Sequence, residues 1–426
     1  MIGAGLSLDQ APPFEATSRF FLSVPLFIIF AGVLLIFKEM VLIRTDSSVI
    51  ALVHLFTLGV FSMVMFGAIG QMLPVLAGVS IPKALLIARW SHLLLLVGTS
   101  IFIYGFLTQV TPFLALIASI CLGLSFVLVL GSALYSLKHT QKFSSTVKAI
   151  TVAIIAGLIT SFLGIWLLND YASAYSEVHE SIMSLHMVWG IFGFAGILII
   201  GVAFKIIPMF YVAPGFKKFC KKWVVPLIVL GIVVWTFLSM FSAKLAWIGL
   251  LIIATFFLAF SVTVIKKLNQ RRRPISDVTV CYWRFAGGNL FVGMIVSSVN
   301  AFISLNLDIY IAVFIGGGFI LSILTGMLYK IVPFLVWFHL NAKGHFEIPT
   351  MREMINAKLA KVQFGFHLLS LILLIEASYY SSTLRFAGFA FVLSGGLLMF
   401  NLLKAVKIYL KHKDLDPMAV FEPKEA

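Results

Sequence analysis

The sequence predicts an all-α integral membrane protein of about twelve transmembrane helices, and three observations carry that prediction. Hydrophobic residues make up 61% of the chain and charged residues only 11%, a balance that ordinary soluble domains do not have. Apolar runs of about twenty residues or more recur along its whole length, each able to cross the hydrocarbon as a helix. Strand-like alternation is absent, and in lipid a helix is then the element that satisfies its own backbone.

Taken in order, the runs fall at 19–43, opening on "RFF" (19 to 21), and at 49–77, carrying His54 and closing on "GQMLPVL". The next are 83–107 with His92, 112–138 with Cys121, and 146–168, which begins with Lys148. The sixth, 180–212, holds His186 and "FKIIPMF"; the seventh and eighth, 222–242 and 245–268, lie between the basic clusters "KKFCKK" and "KKLNQRRR". The ninth, 281–304, opens on "RFA"; the tenth, 308–338, holds "YKIVPFL". The last two are 356–378, with His367 and Glu376, and 383–410. The longest connection, 339–355, leaves no room for a soluble domain, so residues 1–426 read as one transmembrane unit. The stretch before Arg19 lacks a charged n-region and a small-residue cleavage site, and no cleaved signal peptide is expected.

A net charge of +15 raises the question of nucleic acid, and its distribution answers it. With the spans alternated, Lys38, Arg44, Lys244 and Arg385 fall on one side; the other 27 of 31 basic residues share the side of both termini. The positive-inside bias makes that side cytoplasmic and the membrane a cell inner membrane. The basic loops are then topogenic and lipid-facing charge, with no nucleic-acid partner implied. Cys220 and Cys281 lie at cytoplasmic helix ends and Cys121 within a span; without CxxC spacing they suggest no thiolate metal site.

The phrase "YKIVPFL" (329 to 335) repeats "FKIIPMF" (204 to 210) and, more weakly, "GQMLPVL" (70 to 76). Its markers Gln71, Lys205 and Lys330 stand 134 and 125 residues apart, in spans two, six and ten. Twelve spans so marked divide into three parallel four-helix repeats, about 19–138, 146–268 and 281–410, whose second helix is the longest. A lysine at a helix exit can run its stem along apolar surface and place its ammonium among headgroups. The proline three residues on bends or ends the helix. Lys205 and Lys330 therefore read as snorkelling helix-exit lysines, with an ion-pathway role as the alternative.

Histidines at membrane depth are the candidates for chemistry, because an imidazole there needs a partner. His54, His92, His186 and His367 fall within spans, whereas His139, His339, His345 and His412 lie at cytoplasmic ends, where solvation is expected. His54 precedes Pro74 by 20 residues and His186 precedes Pro208 by 22, so both sit in the outer third of equivalent helices. If those helices share a centre, the two imidazoles meet at one depth and could hold haem iron or a copper ion. Span ten offers Ile311 and Val313 instead, which excludes a three-fold histidine site. "VHESIMSLHMVW" (178 to 189) adds His179 and Met183 on the face of His186, a set suited to Cu(I). His92 and His367, at similar depth in spans three and eleven, form a candidate second site. No HExxH, phosphate-binding glycine loop or buried carboxylate pair is present, so hydrolysis and phosphoryl transfer have no visible machinery.

"HLFTLGVFSMVMFGAIGQ" (54 to 71), with His54, Thr57, Gly59 and Gln71, resembles a recurring phrase of the NnrS family. "PPFEATSRFFL" (12 to 22) is similar to that family's Phe-Arg-rich start of its first helix. "GAIGQMLPVLAG" (67 to 78), twenty-odd residues after a helix-two histidine, looks more distantly like the main subunit of haem-copper oxidases. The resemblance implies twelve helices in three arcs of four, with His54 as a haem ligand. Oxidases carry adjacent histidines in helix seven and His-x-His in helix ten; spans seven and ten here lack them, so oxygen reduction and proton pumping do not carry over. Nor is the double-histidine phrase of NnrS proteins intact, since His179 and His186 stand seven apart.

Two function classes follow. One is an inner-membrane protein holding haem b between His54 and His186, serving nitric oxide response or respiratory electron transfer through a redox partner. The other is a secondary transporter of a small solute or copper ion, with Gln71, Lys205 and Lys330 lining its cytoplasmic exit.

Overall fold

The computed structural model describes residues 11–173, 175–242, 244–272, 277–303 and 305–415. The first ten residues of the polar stretch before Arg19, and Arg273 of the second basic cluster, lie outside them. Twelve helices are long and apolar enough to cross a membrane: α1 Phe14–Phe37, α2 Ser47–Ala77, α3 Ala84–Leu107, α4 Pro112–Leu137, α5 Ser145–Ser173 and α6 His179–Tyr211. After these come α7 Lys218–Phe241, α8 Trp247–Asn269, α9 Val278–Ile303, α10 Asp308–Ala342, α11 Ala357–Glu376 and α12 Thr383–His412. No strand occurs among the described residues.

Local chemistry fixes the helix starts. The Asp46 carboxylate accepts from the Ser48 and Val49 amides and starts α2, Thr111 with Pro112 behind it starts α4, and Asn356 starts α11. The first span is shorter than expected, ending at Phe37 rather than near residue 43. The run "KEMVLIRT" is apolar enough to extend the sequence pattern, but from Lys38 the backbone is extended.

Helices α2, α6 and α10 are the inner ones: 61%, 72% and 72% of their most apolar windows are buried, against 28–56% for the other nine. Around them, α4 packs on α5, α8 on α9 and α12 on α1, so the outer helices close into a ring. With no hydrophobic drive between helices in lipid, close approach of small residues must supply the packing energy. Gly32 and Gly388 are one example, where α1 and α12 lie carbonyl against Cα. Phe37, Phe113, Phe162 and Phe302 project outward, as a lipid-facing surface requires.

Each inner helix contains a stretch of π-helix: Thr57–Ser62, Trp189–Gly196 and Ala312–Leu321. These stretches are rich in glycine, and aromatic or branched side chains from neighbours press onto it: Phe27 on Gly59, Phe257 on Gly196 and Leu371 on Gly317. The π stretch of α10 touches those of both α2 and α6. In all three helices it ends twelve residues before the proline: Ser62 and Pro74, Gly196 and Pro208, Leu321 and Pro333.

The prolines do not all mark a helix exit. α2 and α6 stop three residues later, at Ala77 and Tyr211, each followed by a residue in the left-handed region. α10 instead runs on to Ala342, its extension held by buried Leu335, Val336, Phe338 and Leu340. Lys330 is accordingly not a lone snorkelling residue. It is ion-paired with Asp277, which also accepts from the Thr279 and Val280 amides at the start of α9. Burial would push the Asp277 carboxyl up, but the hydrogen bonds from Lys330 and Thr279 outweigh it and hold it below the usual range. A depressed carboxylate contributes stability above its unfolded pKa of about 3.9 and loses it as pH falls through the folded value. Below about pH 4 the wild-type melting temperature should fall more steeply than that of Asp277→Asn, with the two parallel from pH 5 to 7. With the Asp277 and Lys330 side chains 42% and 23% exposed, solvent screening limits the effect to about 1 kcal/mol.

Candidate functional site

His54 and His186 stand at corresponding places in α2 and α6, each three residues before the π stretch begins. That stretch has 6 residues in α2 and 8 in α6, which accounts for the two-residue difference in their distances to proline. The rings come together, with centroids 6.3 Å apart and planes 20° from parallel.

Each imidazole is oriented by a carbonyl. His54 Nδ1 donates to Ile50 O at 2.8 Å, one turn back in its own helix. His186 Nδ1 donates to Thr160 O of α5 at 3.0 Å. A nitrogen facing a carbonyl must carry the proton, so each Nε2 keeps its lone pair. Neither Nε2 has a hydrogen-bond partner among the described residues, and both side chains are only half-buried. A carbonyl accepting from the other ring nitrogen is the usual support of a metal-ligating histidine. The spacing also suits one: with metal–nitrogen bonds of about 2 Å and about 1 Å from nitrogen to ring centre, two imidazoles across one ion stand about 6 Å apart.

Three neighbours shape this place, none of them marked by the sequence. Phe102 of α3 lies 4.5 Å from the His54 ring. Thr160 supplies the carbonyl. Gly164, one turn further along α5, leaves the space into which the His186 ring fits: a Cβ there would stand 2.8 Å from its Cε1 and 3.3 Å from its Nδ1. Nothing in the sequence separates Gly164 from Gly157, which is packed by Leu130 and Phe194 instead.

The other sequence candidates are placed differently. His179 is buried, bonds Asp170 at the end of α5 through Nδ1 at 2.7 Å, and stacks on Tyr175 at 4.0 Å. Met183 is half-buried one turn along. No group of three or more His, Cys, Asp or Glu able to hold a metal occurs among the described residues. His92 bonds Ser23 of α1 at 2.8 Å, and His367 bonds Ser322 of α10 at 2.7 Å. These two histidines therefore belong to different helix groups, each with its own serine. Lys205 is exposed, whereas Lys330 is tied to Asp277 with its ammonium 5.6 Å from the Tyr211 ring. Gln71 is buried, with its Oε1 enclosed and unpartnered.

One expectation fails outright. His345 is not solvated: it is buried, 6.2 Å from the His412 ring, because the turn after α10 folds back and its amide bonds Leu340 O. His339 is half-buried against Phe14.

No family model matches this chain, and no curated protein matches its sequence.

Proposed function

We propose that this is a multi-pass inner-membrane electron-transfer protein, both termini cytoplasmic, that holds a b-type haem between His54 and His186. The observation that carries the reading is the pair of facing imidazoles, each with Nδ1 committed to a carbonyl and Nε2 free. The recurrence of a long inner helix with a π stretch twelve residues before a proline supports three parallel four-helix repeats.

A haem bound there would supply a one-electron couple at its iron. The chain's own residues orient the two ligands: Ile50 and Thr160 set the tautomers, Gly164 admits the His186 ring, and Phe102 covers His54. Held by two protein imidazoles, a haem would have its ligands supplied by the chain, which would favour electron transfer over gas binding. A nitric oxide role would require one histidine to yield its place. A copper ion is the lesser alternative, since the pair supplies two imidazoles and His179 is engaged by Asp170. The transporter reading draws no support from its lysines, one exposed and the other ion-paired.

The test is an oxidised-minus-reduced visible spectrum of the purified protein, expressed with ample haem and assayed in parallel for copper. A b-type band supports the reading; its absence sinks it. Gly164→Ala adds a check on geometry. Because the added methyl must displace His186, haem affinity should fall about tenfold, the scale of a lost supporting contact, with an altered low-spin electron paramagnetic resonance signal. An unchanged signal and affinity would mean that His186 is not a ligand.

A further inference from the structure

A second set of buried polar groups lies in α9 to α12, apart from the histidine pair and unused by the reading above. On α10, Ser322, Thr325 and Tyr329 follow one another at three- and four-residue steps, so they share one side of the helix over about 10 Å. Against them α11 sets His367 and Gln363, one turn apart. Tyr282 of α9 and Tyr329 both donate to Gln363 Oε1, at 2.6 and 3.2 Å, and Gln363 Nε2 donates to Ser394 of α12 at 2.7 Å. At the inner end Ser322 Oγ lies 2.7 Å from His367 Nε2 and bonds Gly317 O, within the π stretch of α10. At the basic end Asn401 of α12 accepts from the backbone amide of Asn356, which caps α11 and is only half-buried.

Two places in this series are incomplete. Thr325 and Asn401 are fully buried, yet Thr325 Oγ1 and Asn401 Nδ2 have no hydrogen-bond partner. The Asn401 amide is directed at Tyr329 but falls outside hydrogen-bond geometry. Leaving such groups bare in a membrane interior is costly, and ordered water is the usual remedy. Thr325 lies between the Ser322–His367 pair and the Tyr329–Gln363 pair, and Asn401 lies between Tyr329 and the end of α11. Other buried polar atoms without a partner among the described residues, such as those of Thr17 and Thr99, lie away from this series; these two fall within it.

We propose that this series is a water-completed proton path from the basic face to His367, with one water or more at Asn401 and at Thr325. Protons would pass along waters and the hydroxyls of Tyr329, Thr325 and Ser322, while the Asn401 and Gln363 amides hold the waters and the tyrosines in place. His367 is the titratable group at its inner end; it gains a proton from solvent at the basic face and returns it by the same route, so no other reactant is consumed. The other titratable groups packed against it are Tyr282, with its ring 5.3 Å away, and Tyr329 below. The path does not depend on a haem and would serve either reading of the function.

The experiment uses the full chain with Cys121, Cys220 and Cys281 replaced by serine, carrying Thr325→Cys or, as a control, Leu328→Cys, which is equally buried in α10. Ag⁺, close to water in size, is added to the folded protein in detergent, and protection of the thiol from alkylation after denaturation is read by mass spectrometry. Protection at position 325 at least tenfold faster than at 328 is expected, and Gln363→Leu in the same background should slow it to the control rate. Equal rates at 325 and 328, in monodisperse protein, would overturn the proposal. So would fast protection at 325 that Gln363→Leu leaves unchanged, since water would then arrive by another route.

Discussion

His54→Ala and His186→Ala are each expected to remove the low-spin b-type spectrum while leaving a monodisperse, folded protein. Each ring makes one hydrogen bond, to a carbonyl, and both side chains are only half-buried, so their loss leaves the packing of the helices largely in place. Loss of a ligand should exceed the roughly 10–100-fold weakening that follows loss of a supporting hydrogen bond. Haem content per chain and the difference spectrum are the measurements. Added imidazole should restore a low-spin signal in His186→Gly, because the small ligand can occupy the space beside Gly164 and use the Thr160 carbonyl. If the band disappears only in His54→Ala, the haem site stands and His186 is the wrong partner. Retention in both variants would move the cofactor elsewhere.

The largest effect on stability is expected at the meeting of α1 and α12. A Cβ at Gly32 would stand 2.6 Å from Gly388 O and 2.9 Å from the Val392 amide; one at Gly388 would stand 2.5 Å from Gly32 O. Overpacking usually costs about 1–3 kcal/mol, and the atoms met here are backbone, which cannot rotate away, so Gly388→Val should cost about 3 kcal/mol or more. Gly396→Val, two turns along the same helix with nothing within 4 Å of its Cβ, should change the melting temperature little. Thermal unfolding of the two variants in one detergent decides the matter. Equal melting temperatures would show that α1 and α12 can slide apart at no cost, contrary to the packing described.

Much of this architecture is written in composition and periodicity. Twelve apolar runs gave twelve helices because hydrocarbon thickness demands a length that only such runs reach. The long inner helices were legible from the repeated Lys/Gln–Pro phrase, and the His54–His186 pairing from their equal depth. What could not be read was rotational: whether two residues at one depth face one another. The π stretches, which begin three residues after His54 and His186, have no local mark in the sequence. For the same reason Gly164 and Thr160 were invisible, since a space and a carbonyl leave no mark in the sequence. Lys330 was misjudged because its partner Asp277 lies 53 residues away in a short loop. His345 was misjudged because a loop histidine gives no sign that the turn will fold inward.

The contact between α1 and α12 also has a consequence in time. Of these twelve helices α1 is made first, and the helix that covers its glycine side, beginning at Thr383, follows the other eleven. At about 5–20 residues per second, roughly twenty seconds to a minute pass between the synthesis of Phe37 and that of Thr383. Throughout that interval Gly32 is packed by lipid or by a borrowed helix, and the ring cannot close. A chain interrupted before residue 383 would thus leave bare the strips of α1, α10 and α11 on which α12 packs, a natural mark by which membrane quality control could recognise incomplete copies.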